Sequence, residues 1–69
     1  MEGDPQRVIG RNLRRLRLAG GLSQEALAER LGYSRGYVSD LELGKRNLSL
    51  QSFERLAADL EASPLSLLT

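Results

Sequence analysis

The chain has 69 residues, of which 41% are hydrophobic and 28% are charged, and its formal net charge is +1. This length allows one small domain, and the composition is that of a globular chain rather than a disordered one. Because cysteine and histidine are both absent, disulfides, thiolate metal sites and the usual catalytic base are excluded, and we expect no catalytic residue, no metal and no cofactor.

Apolar residues recur at helical spacing along the whole chain, which predicts an all-α domain of about five helices. The first helix is predicted to follow Pro5 and to end before Gly20 and Gly21. Ser23 is the predicted N-cap of the second helix, and Gly32 ends it. The residues of these two helices that are predicted to face the core are Ile9, Leu13, Leu16, Leu27, Ala28 and Leu31.

The second half of the chain repeats this pattern of serine caps. Ser34 is predicted to cap a third helix that ends at Gly44, and residues 45–47 form a polar loop. Ser49 is predicted to cap the fourth helix, and Ser63 precedes a short last one. The residues predicted to face the core here are Val38, Leu41, Phe53, Leu56, Ala57, Leu60, Leu65 and Leu68. We expect residues 1–6 to be a flexible N-terminus and residues 7–69 to form a single compact domain.

The segment from residue 24 to residue 43 carries the clearest geometric signal. Only Gly32, Tyr33 and Ser34 join its two helices, which is too short for antiparallel packing, so the second helix must cross the first steeply. Such a crossing needs a small residue at the contact and a residue that tolerates positive φ in the turn, and Ala28 and Gly32 meet these demands. This arrangement, the helix-turn-helix, is uncommon outside DNA-binding modules. We therefore expect residues 7–69 to form a single helix-turn-helix DNA-binding domain.

The charge distribution agrees with a nucleic-acid partner. Residues 7–46 contain nine basic and four acidic residues, whereas residues 47–69 contain one basic and three acidic residues. One face of the molecule can therefore meet phosphate while another serves a different purpose. No apolar run approaches the length of a membrane span, and the first residues lack a signal-peptide core. We expect a cytoplasmic protein with no membrane partner and no small-molecule ligand.

Three segments carry a resemblance to a known family: residues 21–28 (GLSQEALA), 31–35 (LGYSR) and 41–47 (LELGKRN). They resemble the Xre-like family of helix-turn-helix proteins, the type of Cro and the phage repressors, over residues 9–68. Residues 44–50 (GKRNLSL) look similar to the controller proteins of restriction–modification systems. The resemblance implies a phage-repressor-like five-helix domain. It also implies a sequence-specific transcriptional regulator that binds double-stranded DNA as a homodimer on a palindromic operator.

The family pattern also implies roles for individual residues. The recognition helix, about residues 35–43, would enter the major groove, and its base-reading candidates are Arg35, Gly36, Tyr37, Ser39 and Asp40. Arg35 would pair with guanine or, alternatively, contact a phosphate from the groove edge. Tyr37 would touch a thymine methyl group or a phosphate, or only pack at the surface. The phosphate-contact candidates are Gln24, Ser34, Lys45, Arg46 and Asn47, with a solvated turn as the alternative for the last three.

Two further sets are assigned structural roles. Arg17 and Glu42 match a charged pair of the phage repressors, and we expect a partly buried ion pair. The candidates for the dimer interface are Leu48, Leu50, Leu65 and Leu67. Closure of the core is the favoured alternative for Leu65 and Leu68, and the interface is favoured for Leu48 and Leu67.

Two alternatives to a DNA-binding regulator remain. One is an Xre-type protein-interaction or antitoxin module whose main partner is another protein, suggested by Leu43 and Asp40 on the recognition helix. The other is an enzyme that uses Glu25 and Glu29, a helical i, i+4 carboxylate pair. An enzyme is disfavoured because both carboxylates are expected to be solvated and the chain offers no phosphate cradle.

Overall fold

Five helices account for most of the chain. The computed structural model describes residues 5–68, apart from the side chain of Pro64. These residues form α1 (Pro5–Ala19), α2 (Gln24–Leu31), α3 (Arg35–Glu42), α4 (Leu50–Asp59) and α5 (Pro64–Leu68), with no strand among them. The predicted all-α, five-helix fold is confirmed. α1 begins two residues before the predicted domain boundary at residue 7, and the rest of the predicted flexible N-terminus, residues 1–4, lies outside the described residues.

Serine side chains begin four of these helices. The Oγ atoms of Ser23, Ser34 and Ser49 accept hydrogen bonds from the backbone N–H three residues later, at 3.0–3.1 Å. Ser63 makes the same contact at 3.3 Å. Each cap satisfies a backbone donor that the first helical turn leaves without a partner.

Left-handed glycines end α2 and the turn after α3. Gly32 has φ +76° and Gly44 has φ +74°, a region that glycine enters without the penalty imposed by a Cβ atom. The following residues close the turns, because the Tyr33 N–H donates to the Ala28 carbonyl and the Lys45 N–H donates to the Asp40 carbonyl, both at 2.9 Å. These closures fix where α3 starts and where the loop after it leaves.

The core lies where the five helices meet. α3 packs against α1 and α2, whereas α5 packs against α1 and α4. α2 also contacts α4, so both halves of the chain share one core. Among the described helices, none has the length and apolar character needed to cross a membrane. The buried hydrophobic residues are Leu13, Leu27, Ala28, Leu31, Val38, Leu41, Phe53, Leu56, Ala57 and Leu67.

The orientation of α5 corrects two sequence-based predictions. Leu67, favoured for the dimer interface, is fully buried, whereas Leu65 and Leu68, favoured for the core, are 67% and 47% exposed. The Asn12 Nδ2 atom donates to the Leu67 carbonyl at 3.0 Å and holds this turn against α1. A five-residue helix has too few repeats for its inner face to be read from spacing. Leu67 is therefore withdrawn from the interface candidates, and Leu65 and Leu68 from the predicted core.

Candidate nucleic-acid interface

The first turn of α3 presents side chains to solvent while its other face is anchored in the core. Val38 is fully buried and Leu41 is 3% exposed. Arg35 and Gly36 at the start of the helix are both exposed. A Cβ atom added to Gly36 would meet no described atom within 4 Å. One face of α3 is thus fixed in the core, and the other is accessible to a partner.

The remaining base-reading candidates are half-buried, and two of them contact the loop that follows. The Tyr37 ring packs on the Tyr33 ring with centroids 4.6 Å apart. The Arg46 guanidinium carbon lies 5.0 Å from the centroid of the Tyr37 ring, within cation–π distance. Arg46 Nε also lies 3.4 Å from Asp40 Oδ2. Arg46 therefore ties the loop to α3, a contact that sequence spacing gives no means of finding.

A buried polar network holds the far end of α3. Arg17 Nε lies 2.6 Å from Glu42 Oε2, and Arg17 Nη2 donates to Glu42 Oε1 at 3.1 Å. The two side chains are 9% and 4% exposed. Arg17 Nη1 also donates to the Leu22 carbonyl at 2.8 Å. The structure thus brings together the pair expected from the sequence, in the bidentate geometry that gives such pairs their strength and direction.

Gln24 belongs to this network. Its Nε2 atom donates to Glu42 Oε1 at 3.1 Å, an interaction absent from the sequence-based assignment of Gln24 to a phosphate. The contact joins the first residue of α2 to the last residue of α3. Because an amide NH2 group has two N–H bonds, the second can still donate outward.

The other phosphate-contact candidates lie at the surface. Ser34, Lys45, Arg46 and Asn47 are all exposed. Ser34 Oγ accepts the Tyr37 N–H at 3.1 Å, so its own hydroxyl proton remains available for donation. The structure places these residues on both sides of α3, in the turn before it and in the loop after it.

The positive charge is concentrated on α1. This helix contains five arginines and no acidic residue. Arg17 is buried in the network, whereas the other four arginines, Arg7, Arg11, Arg14 and Arg15, are exposed. Elsewhere in the described part of the chain, no group of three histidine, cysteine or carboxylate side chains is arranged to hold a metal ion. The exposed arginines of α1 supply hydrogen-bond donors and positive charge, which suit an anionic partner surface.

Comparisons with known proteins agree with this geometry. The family model described as helix-turn-helix matches residues 13–67. Control protein C.BamHI of Bacillus amyloliquefaciens is 39% identical over 62 residues, which are 88% of this chain and 76% of that protein. The crystal structure of the restriction-modification controller protein C.AhdI from Aeromonas hydrophila is 45% identical, with a TM-score of 0.80, and the match covers 90% of this chain and 94% of that one.

A second similar structure contains DNA. The crystal structure of SinR, the master regulator for biofilm formation, in complex with DNA is 34% identical to this chain, with a TM-score of 0.77. The match covers 88% of this chain and 98% of that one.

Proposed function

The chain belongs to the helix-turn-helix family of DNA-binding transcriptional regulators, and from this premise we propose that it reads a palindromic operator as a homodimer. In each protomer, α3 and the residue after it, about residues 35–43, lie in the major groove. Two recognition helices related by a two-fold axis read two half-sites, which doubles the length of DNA that sets specificity.

The observation that carries this proposal is the contrast between the two faces of α3. Val38 and Leu41 anchor one face in the core, while Arg35 and Gly36 are exposed on the other. A recognition helix needs both properties, because its side chains must meet base edges in a fixed register. The buried Arg17–Glu42 pair supports the same role, since it holds the end of α3 in a defined direction.

Arg35 is the base-reading residue with the strongest physical support. A guanidinium donates two parallel hydrogen bonds to guanine O6 and N7, and each such pair is worth about 1–3 kcal/mol of discrimination. Tyr37, Ser39 and Asp40 lie further along α3 and complete the reading surface. Gly36 adds no side chain, so the DNA backbone or base edges can approach α3 closely there.

Phosphate contacts surround this surface and position it. Ser34 precedes α3, and Lys45, Arg46 and Asn47 follow it. We expect the two groups to contact the DNA backbone on either side of the major groove. Gln24 opens α2 and uses one amide N–H for Glu42, which leaves the second for a phosphate oxygen. Such contacts fix register and orientation without carrying sequence information.

A second copy of the chain is the proposed partner of the exposed leucines in the last third. Leu50 is 72% exposed and Leu65 is 67% exposed, and Leu48 is half-buried against the core. Leu68, at 47% exposure, joins this set in place of the buried Leu67. Covering these large apolar side chains with a second copy removes them from water, which stabilises the assembly.

The test is selection of bound duplexes from a random pool at about 0.15 M salt, with sedimentation of the free chain at micromolar concentration. We expect two inverted half-sites about one helical turn apart and a dimer in solution. If nothing is enriched and the residual binding vanishes with added salt, the chain holds DNA only by charge. The protein-interaction alternative would then replace the operator-reading proposal. A strict monomer would overturn the homodimer.

Two substitutions distinguish a contact with a base from a contact with a backbone phosphate. Arg35→Ala should relax the preference at one base position in each half-site. Lys45→Ala is the matched control, because loss of a phosphate contact weakens binding to all sequences about equally. If both variants keep the full sequence preference, Arg35 does not read a base.

A further inference from the structure

A groove beside the recognition helix contains an arginine that the assignments above do not use. The groove has a volume of about 360 Å³ and lies between α1, α2 and α3. The residues that line it are Arg14, Arg17, Gln24, Ser39, Glu42 and Leu43. Three of them, Arg17, Gln24 and Glu42, belong to the hydrogen-bonded network described above. The size of the groove lies at the small end of the range found for ligand sites, about 300–1,000 Å³.

The electrostatics of the groove favour an anion. Both oxygens of Glu42 are already engaged, Oε2 by Arg17 and Oε1 by Arg17 and Gln24. Arg14 is exposed and, within the described residues, forms no ion pair. The lining therefore carries two arginines against one glutamate, with the second arginine uncompensated.

The donors in the groove match the oxygens of a phosphodiester. Three of its lining residues, Arg14, Gln24 and Ser39, carry groups that can donate hydrogen bonds, namely a guanidinium, a side-chain amide and a hydroxyl. Leu43, which is 60% exposed and follows α3, adds an apolar residue to the lining. A phosphate flanked by deoxyribose presents the complementary combination, with anionic oxygens that accept hydrogen bonds beside an apolar sugar edge.

The position of Arg14 is set by a close helix contact rather than by a flexible loop. One turn earlier in α1, a Cβ atom on Gly10 would collide with the Leu41 carbonyl oxygen and lie 2.8 Å from that of Glu42. The α1 backbone therefore rests directly on the end of α3. This contact sets the backbone position of Arg14 relative to α3.

We propose that this groove binds one backbone phosphate of the operator, with Arg14 as a specific phosphate-binding residue. The proposal rests on the proposed DNA-binding function and adds a contact from α1 to those from α2, α3 and the loop. Gln24 and Ser39 are common to the groove and the proposed interface, so the two surfaces are continuous. A duplex lying along α3 therefore brings its backbone over the groove.

The experiment compares Arg14→Gln with Arg15→Gln on the selected duplex. Arg15 is the matched control, since it is the next residue of α1, equally charged and exposed, but absent from the groove. Arg14→Gln should lower affinity about tenfold or more. It should also reduce the slope of log K against log salt by about 0.9. Arg15→Gln should change affinity less than about twofold and leave the slope unchanged, because one solvated charge acts only through a screened field. Arg14→Lys should restore the slope.

A scan with single methylphosphonates identifies the phosphate. At one position per half-site, neutralising the phosphate should lower the DNA affinity of the wild-type chain but should not lower that of Arg14→Gln any further. Equal losses for Arg14→Gln and Arg15→Gln, or additive losses at every position, would overturn the groove while the operator-reading proposal stands. A wild-type chain that binds no duplex would overturn both.

Discussion

The part of the molecule built from α1–α3 and the part built from α4 and α5 are stabilised by different interactions. In α1–α3, a buried ion pair and a direct backbone contact at Gly10 accompany the apolar core. In α4 and α5, burial of Phe53 and Leu67 dominates, and the ion pair described there, Arg55–Asp59, is exposed and 3.8 Å long. Apolar burial is non-directional, whereas hydrogen-bonded charges require particular angles. The part proposed to read DNA is thus also the part whose orientation is fixed most strictly.

Removal of the Glu42 carboxylate should cause the largest loss of stability, because it disrupts the buried ion pair of α1–α3. Glu42→Ala leaves the Arg17 guanidinium buried without its carboxylate, which costs about 3–5 kcal/mol. That loss approaches the whole stability expected of a 69-residue domain. The control is Asp59→Ala, which removes an exposed i, i+4 pair worth about 0.3–0.5 kcal/mol. Urea denaturation of the two variants measures both, and similar losses would mean that the buried pair contributes no more than the exposed one.

The backbone contact between α1 and α3 offers a second way to disturb the same part. Gly10→Ala forces a methyl group against the Leu41 and Glu42 carbonyls, and overpacking of this kind costs about 1–3 kcal/mol. We expect the upper end, because backbone cannot rotate aside as a side chain can. Gly36→Ala is the control, since its Cβ meets nothing and alanine favours the helix by about 0.5–1 kcal/mol. In thermal unfolding, the melting temperature should fall for Gly10→Ala and rise for Gly36→Ala.

A buried hydrogen bond from Asn12 to Leu67 joins the two parts, and its loss should affect mainly the second. Asn12 is 4% exposed, and its side chain satisfies the Leu67 carbonyl. Asn12→Ala should cost about 1–2 kcal/mol, the penalty for a buried carbonyl without a partner. Amide hydrogen exchange should accelerate in α5 more than in α3. Uniform acceleration along the chain would show that the bond stabilises the whole domain rather than the docking of α5.

The smallest expected effect is a gain in stability at the turn between α4 and α5. Glu61 has φ +54° in a turn that the Ala62 N–H closes on the Ala57 carbonyl. A side chain in the left-handed region costs about 1–2 kcal/mol, part of which glycine recovers. Glu61→Gly should therefore stabilise the domain by about 0.5–1 kcal/mol in denaturant titrations. Ala58→Gly, an exposed helical position, is the control that should destabilise it. A loss of stability in Glu61→Gly would contradict the strain assigned to this turn.

Helix ends were predictable from the sequence because they depend on local chemistry. A serine before each of the last four helices and a glycine after α2 and α3 act within one turn of their own position. The similarity to controller proteins was equally readable, since it rests on contiguous segments, and the comparisons confirm it. The Arg17–Glu42 pair spans 25 positions, and only the family resemblance pointed to it.

The parts that sequence reasoning missed depend on tertiary geometry. The inner face of α5 follows from how its single turn docks on α1, not from a repeat. The contacts of Arg46 with Tyr37 and Asp40 arise because the loop folds back over α3. The groove around Arg14 exists only once three helices are assembled, so nothing in the spacing of Arg14 and Arg15 separates their roles.

The empty space above Gly36 bears on how readily this protein can acquire a new target. A Cβ atom placed there meets no described neighbour within 4 Å, and the helix itself would gain from losing a glycine. A single substitution can therefore change the chemistry of the exposed surface at no cost to folding. Divergence of target preference, in nature or in a designed library, can begin at this position without a compensating change elsewhere.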